Sequence, residues 1–233
     1  MTAADGSGTM FDGIAGRYDL LNRLLSLGLD RVWRRHLVDA FAPAGACELL
    51  DLATGTADVA IAIAERRSES RVVGVDPSEG MLARGRLKVE RAGLSDRIEL
   101  RIGDGQALPF ADARFDGACI AFGIRNVPDR SRCLSEMVRV CRPRTTVAVL
   151  ELAEPRDGFL GALARFHLHR VVPRVGALLS GGREYAYLRG SVAAFPPPEA
   201  FADLMRGAGL VEVKVRRLTF GAAYLFWGTC PGA

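Results

Sequence analysis

The sequence predicts an α/β domain built on a mostly parallel sheet of seven strands, the last two closing it as an antiparallel hairpin. Three observations carry that reading. Short runs rich in Val, Ile and Leu alternate with helical patterns through the middle of the chain. The first run, from Glu48, passes straight into the small-residue turn Ala53-Thr54-Gly55-Thr56-Ala57-Asp58. The second, Arg71 to Val75, ends on Asp76, and an acid at the tip of the second strand of a βαβ unit is placed to hold the two hydroxyls of a ribose.

Residues 1–10 are small and polar and read as a tail. From Phe11 to Ala40 apolar residues recur at helical spacing (Ile14, Tyr18, Leu21, Leu25, then Val32 and Leu37), with Gly28 separating two helices. Residues 1–45 are therefore expected to form a helical cap on a domain spanning 46–233. Pro43 and Gly45 break the chain before the first strand. Strands are expected at 47–52, 71–76, 97–102, 115–121 and 145–152, with helices beginning near Ala57, Ser78 and Arg130. Such alternation predicts right-handed crossovers, with the ligand beyond the carboxyl ends of the strands. Asp51, Asp76, Asp104 and Ala121 fall at or just after those ends and are expected to converge on one cleft. After Glu154-Pro155 the pattern changes. An apolar stretch, 158–180, carries His167, His169, Arg170 and Arg174, and the segment 156–196 reads as an insertion covering the cleft. Residues 209–217 and 220–230 form the closing hairpin, turning near Thr219 to Gly221.

Composition bounds the function. At 233 residues and 49% apolar, the chain builds a sizeable core in one domain. A net charge of +4 is too small to imply nucleic acid. Lys88 and Lys214 are the only lysines among 31 basic residues, so clusters such as Arg31-Val32-Trp33-Arg34-Arg35 read first as solvated helix faces, with contact to an anionic membrane surface as the second reading. The five cysteines are odd in number and lack a C-x-x-C pair, which argues against a disulfide framework and against metal ligation. No signal peptide is visible, and no apolar run approaches the roughly 18 residues of a membrane span. A cytosolic protein is expected.

The glycine turn decides between nucleosides. A dinucleotide site uses G-x-G-x-x-G so that a pyrophosphate rests on bare backbone. Here the turn holds one glycine, Gly55, and an acid, Asp58, which would repel a pyrophosphate. S-adenosylmethionine carries a sulfonium and an ammonium and no phosphate, and suits this turn. Asp51, Gly55 and Asp76 are its expected contacts. After the third strand, Gly103-Asp104-Gly105 places an acid where it accepts the adenine amine while adjacent backbone meets a ring nitrogen; the alternative is a plain Asp-Gly turn. The fourth strand exits through Ala121-Phe122-Gly123-Ile124-Arg125-Asn126. Arg125 and Asn126 either face the reacting groups, with the Arg125 cation steadying a developing phenolate, or cap the next helix.

Read end to end, the chain resembles the UbiE/MenG-type quinone C-methyltransferases, class I enzymes with a Rossmann-like fold. The signatures are Phe11-Asp12-Gly13-Ile14-Ala15-Gly16-Arg17-Tyr18-Asp19-Leu20-Leu21-Asn22 with Ser26 and Trp33, Leu49 to Thr56, Phe122 to Val127, and Tyr185-Ala186-Tyr187-Leu188 with Ser191 and Phe195-Pro196. The resemblance spans about residues 10 to 222. It implies methylation of a ring carbon of a prenylated quinol, most simply demethylmenaquinol, by S-adenosylmethionine without a metal. It carries over Thr56, Asp76, Asp104 and Gly105 as cofactor contacts, with Ala121 offering only backbone where the family has Ser. Tyr18, Asn22, Arg125 and Asn126 fall near the reacting groups. His167 is placed with Asn22 on the substrate side, where a packed or surface histidine is the competing reading. Three departures stand out: Ala57 replaces a glycine of the turn, Arg144-Thr145 replace a Gly-Gly before the fifth strand, and Tyr224-Leu225-Phe226-Trp227 replace a basic C-terminal strand. Peripheral membrane contact or a homodimer through segment 156–196 is expected. The rivals are another phenolic acceptor, a binding scaffold without chemistry, and a nicotinamide dehydrogenase, the last disfavoured by the missing glycines.

Overall fold

The computed structural model describes residues 26, 28–41, 46–153 and 183–232. Helix α1 (Asp30–Asp39) precedes strand β1 (Glu48–Leu52). There follow α2 (Asp58–Arg66), β2 (Arg71–Asp76), α3 (Glu79–Arg91), β3 (Ile98–Ile102), β4 (Phe115–Ala121), a 3-10 turn (Ile124–Asn126), α4 (Arg130–Val140) and β5 (Cys141–Leu152). Helices α5 (Arg183–Ala193) and α6 (Pro198–Gly207) lead to β6 (Val211–Leu218) and β7 (Ala223–Thr229). The seven strands order as β3-β2-β1-β4-β5-β7-β6, parallel except for the β5–β7 and β7–β6 pairs.

Alternation along each strand sends side chains to two apolar layers. Leu49, Val72, Cys119, Ala148 and Leu150 face the layer that receives Trp33 and Leu37 of α1 and Ile63 of α2. Leu50, Val73, Ala118, Val147 and Phe226 face the layer of α4 and α6, with Leu134, Met137 and Phe201 fully buried. Two helix starts are chemically marked: the Ser78 hydroxyl accepts from Met81 N–H, and the Asp129 carboxylate from Arg132 N–H.

Every strand and helix expected within the described residues forms; the hairpin strands are two to three residues shorter at their starts than expected, and the start of the fifth strand moves most. Strand β5 begins at Cys141, not 145, because residues 142–145 make a bulge: its register against β4 jumps from Phe115↔Cys141 to Gly117↔Thr146. Arg144 takes φ 64° there, a left-handed conformation that favours glycine. Its N–H donates to the Cys230 carbonyl (3.0 Å), and Cys230 N–H to the Thr145 carbonyl (2.8 Å), so the bulge is stitched to the end of β7. The tail at 1–10, Tyr18, Asn22, His167, His169 and most of the covering segment 156–196 lie outside the described residues; α5 is the part of that segment described.

Candidate active site

The cleft sits beyond the carboxyl ends of β1, β2 and β4, where strand order reverses. Its first wall is the turn after β1. Ala53, Gly55 and Ala57 alternate in left-handed backbone (φ 51°, 56° and 66°), and Thr54 N–H donates to the Val75 carbonyl at 3.1 Å, fastening the turn to β2. At Gly55 a Cβ would stand 3.2 Å from Met81 Cε, on the cleft wall. Ala57 carries its left-handed backbone with a fully buried methyl, so this chain accepts a local cost of about 1–2 kcal/mol where a glycine would have none.

Asp76 anchors the second wall. Its two carboxylate oxygens accept from Gly55 N–H and Ser78 N–H, each at 2.9 Å, while the residue stays on the cleft surface at 8% exposure. A carboxylate offers about four acceptor directions, and these two bonds fix its plane. Asp104 and Gly105 form the floor opposite. The Asp104 carboxylate accepts from Gln106 N–H (2.9 Å) and from the Gln106 amide (3.1 Å), and the Gln106 oxygen in turn accepts from Asp129 N–H (3.0 Å). A Cβ at Gly105 would meet Leu52 Cδ2 at 3.0 Å.

The third wall is the exit of β4. Ala121, Phe122, Gly123 and Asn126 line the cleft. Phe122 is held at φ 57°, its ring against Trp33 (6.2 Å between centroids) and under the Arg34 guanidinium (5.5 Å). Trp33 is itself pinned by its indole N–H donating to Thr219 Oγ1 at 2.8 Å.

Three expected residues stand elsewhere. Asp51 lies beneath the turn, 1% exposed, because its register on β1 turns it toward the α1–α2 layer. It accepts from the Thr54 hydroxyl at 2.6 Å and touches Cys119 Sγ at 3.6 Å. Burial pushes its carboxyl up to about 7, against the pull of the Thr54 and Cys119 contacts. Thr56 is 3% exposed and off the cleft wall, its hydroxyl accepting from Lys88 Nζ at 3.0 Å. Arg125 is the most heavily partnered of the three. Its guanidinium is already matched: Nη1 pairs with Glu151 Oε1 (2.6 Å) and donates to the Phe122 carbonyl (2.6 Å), and Nε donates to Ser191 Oγ (3.3 Å). Glu151 is wholly buried and also accepts from the Arg125 and Leu152 N–H groups. An ion whose counter-charge sits 2.6 Å away is not an uncommitted cation for a phenolate. Asp58, too, leaves the role given it: it pairs with Lys88 and lies 3.5 Å from Arg34, outside the cleft lining.

Sequence reasoning missed Glu151, Gln106, Met81 and Phe122. For Glu151 a signal existed, since a lone acid in the apolar run Val147 to Leu152 must find a partner when buried. The others are cleft residues only because three separated segments meet.

The cleft has a volume of about 840 Å³, counting the solvent at its open mouth. Leu52, Met81, Ile120 and Val127 make it largely apolar, and among the described residues its charged lining is Asp76 and Asp104, with no Lys or Arg. Two carboxylates without a cation disfavour a pyrophosphate and match a cationic nucleoside. The selection expected of Asp58 thus rests on Asp76 and Asp104. The donor set fits S-adenosylmethionine: an acid for the ribose, a close-approach glycine, an apolar slot and an acid–glycine pair for the base. Among the described residues no cluster of His, Cys, Asp or Glu is placed to hold a metal.

Comparison with known proteins agrees. Residues 3–230 match the ubiE/COQ5 methyltransferase family. The chain is 46% identical over 220 residues to the ubiquinone/menaquinone biosynthesis C-methyltransferase UbiE of Geobacter sulfurreducens, covering 94% of this chain and 86% of that one. It is 45% identical over 223 residues to the demethylmenaquinone methyltransferase of Thermus thermophilus, covering 95% and 100%. Among solved structures, phosphoethanolamine N-methyltransferase 2 of Haemonchus contortus, in complex with S-adenosyl-L-methionine, shares the fold at a TM-score of 0.65 and 13% identity, over 85% of this chain and 52% of that one. The chain belongs to the ubiE/COQ5 methyltransferase family and is an S-adenosylmethionine-dependent methyltransferase.

Proposed function

We propose that this chain methylates a ring carbon of a reduced, prenylated quinol, and that demethylmenaquinol is the acceptor. The observation that carries the reading is the near full-length likeness to the Thermus thermophilus demethylmenaquinone methyltransferase, with the cleft's third wall formed by the Phe122–Asn126 turn of the quinone-branch pattern. When bound, S-adenosylmethionine supplies a sulfonium methyl open to in-line attack. Asp76 takes the ribose hydroxyls, Gly55 lets the turn approach, and Asp104 with Gly105 receives the base. The ring then lies toward Ala121, Phe122 and Asn126, where apolar walls exclude water and alignment supplies much of the acceleration. A ring carbon attacks well only when a neighbouring phenol is ionised, so the reduced acceptor is the reactive one. A prenyl tail makes the membrane surface the meeting place; among the described residues no helix is long and apolar enough to cross a membrane.

The test is direct. Purified protein is mixed with S-adenosylmethionine and chemically reduced demethylmenaquinone bearing a short tail, and products are followed by mass spectrometry. Expected is a quinone heavier by one methylene, formed only from the reduced acceptor. Calorimetric binding of S-adenosylhomocysteine with no methylated quinone would overturn the acceptor assignment.

A further inference from the structure

With the Arg125 cation paired to Glu151, the described residues at the exit of β4 bring one neutral side-chain donor to the cleft lining, the amide of Asn126. That amide is not left to rotate. Tyr187, on α5, donates its hydroxyl to Asn126 Oδ1 at 3.2 Å. Four residues on, and so on the same helix face, Ser191 Oγ accepts from Arg125 Nε at 3.3 Å. Helix α5 is thereby laid along the 3-10 turn by two hydrogen bonds to adjacent residues, while Glu151 holds the turn from beneath through the Arg125 N–H at 3.1 Å. With Oδ1 turned to the Tyr187 phenol, the planarity of the amide fixes Nδ2 on the other side of Cγ, on a residue that lines the cleft.

We infer that Tyr187 is a positioning residue: by occupying Asn126 Oδ1 it aims the Asn126 Nδ2–H at the ionised oxygen of the acceptor ring. The deduction rests on the quinol reading above. Asn126 is the catalytic donor, touching the oxygen that carries the negative charge from which the ring carbon attacks. Tyr187 touches no substrate and acts only through the amide. The arrangement is a preorganised donor, which needs no reorientation as charge develops on the ring oxygen. A neutral amide also stabilises the phenolate without capturing it as a full cation would, so the carbon keeps its nucleophilicity.

The test is a double-mutant cycle on the full chain. Tyr187→Phe removes one hydroxyl at a position 39% exposed, so the fold is retained. Asn126→Ala is expected to lower kcat about 100-fold, the usual effect of losing one such donor, and Tyr187→Phe about 5–10-fold with the KM for S-adenosylmethionine unchanged. The decisive reading is the double variant: Tyr187→Phe placed on Asn126→Ala should be silent, because the phenol has nothing left to orient. Independent, multiplicative losses overturn the inference, as does a Tyr187→Phe variant with wild-type kcat. Wild-type chain that fails to methylate the reduced quinone is a separate outcome and sinks the acceptor assignment itself. In that case the cycle is run with whichever phenolic acceptor is turned over, and silence is again required.

Discussion

Asp51 offers the sharpest test of how the cofactor turn is supported. Its carboxyl is 1% exposed, bonded to the Thr54 hydroxyl, and pushed by burial from the ordinary 3.8 to about 7. The folded chain therefore keeps a proton over a range in which the unfolded chain has released it. More protons bound in the folded state means that stability falls as pH rises through that window, and the loss levels off above the folded value. The gap between 3.8 and about 7, at about 1.36 kcal/mol per pH unit, sets an upper cost of about 4 kcal/mol on the ionised state. Asp51→Asn keeps the volume and an oxygen for Thr54 but cannot ionise. Urea unfolding of both chains at about pH 5 and about pH 8 should show wild type losing about 3 kcal/mol relative to the variant across that span. Parallel stabilities at the two pH values would refute the argument, since they would mean that Asp51 is ionised throughout and that its burial costs nothing.

Three further outcomes follow from the same geometry. Asp76→Asn places an amide donor against the Gly55 or Ser78 N–H and weakens the ribose grip, so calorimetry with S-adenosylhomocysteine should show affinity down about 10–100-fold; unchanged affinity would remove Asp76 from the site. Glu151→Gln leaves the buried Arg125 guanidinium without its counter-charge, and chemical denaturation should find the variant about 3 kcal/mol less stable, a loss that a surface pair would not produce. Arg144→Gly relieves left-handed backbone in the β5 bulge, and the melting temperature should rise by about 2 °C, corresponding to about 0.5–1 kcal/mol; a fall would mean that the Arg144 side chain contributes more than its backbone costs.

Much of the framework was legible because strand and helix periods are local properties. The runs at 47–52, 71–76 and 115–121 appear within a residue of their predicted bounds, since each is a short, mostly apolar stretch bracketed by turn residues. The missed start of β5 has a local cause of a different kind. Pro143 lacks a donor and Arg144 adopts a conformation that its side chain does not advertise, so the bulge is visible only when the end of β7 is laid beside it. Asp76, Asp104, Gly105 and Ala121 come together as the strand ends implied. Asp51, Thr56 and Arg125 diverge for one shared reason: residue type and spacing place a group near a strand end, but only its neighbours decide whether it faces the ligand or the core.

What the sequence determined by itself was therefore the strand order's raw material, the glycine that lets backbone approach a ligand, and the acid at the second strand's tip. These follow from covalent geometry and period alone. Only the tertiary structure decided where each charge was spent. Glu151 lies 26 residues from Arg125, and Asp58 lies 30 from Lys88; both pairs exist because β4 abuts β5 and because α2 and α3 both pack on β2. An ionic partner is chosen by proximity in the folded state, and proximity across strands is a property that no stretch of chain holds on its own.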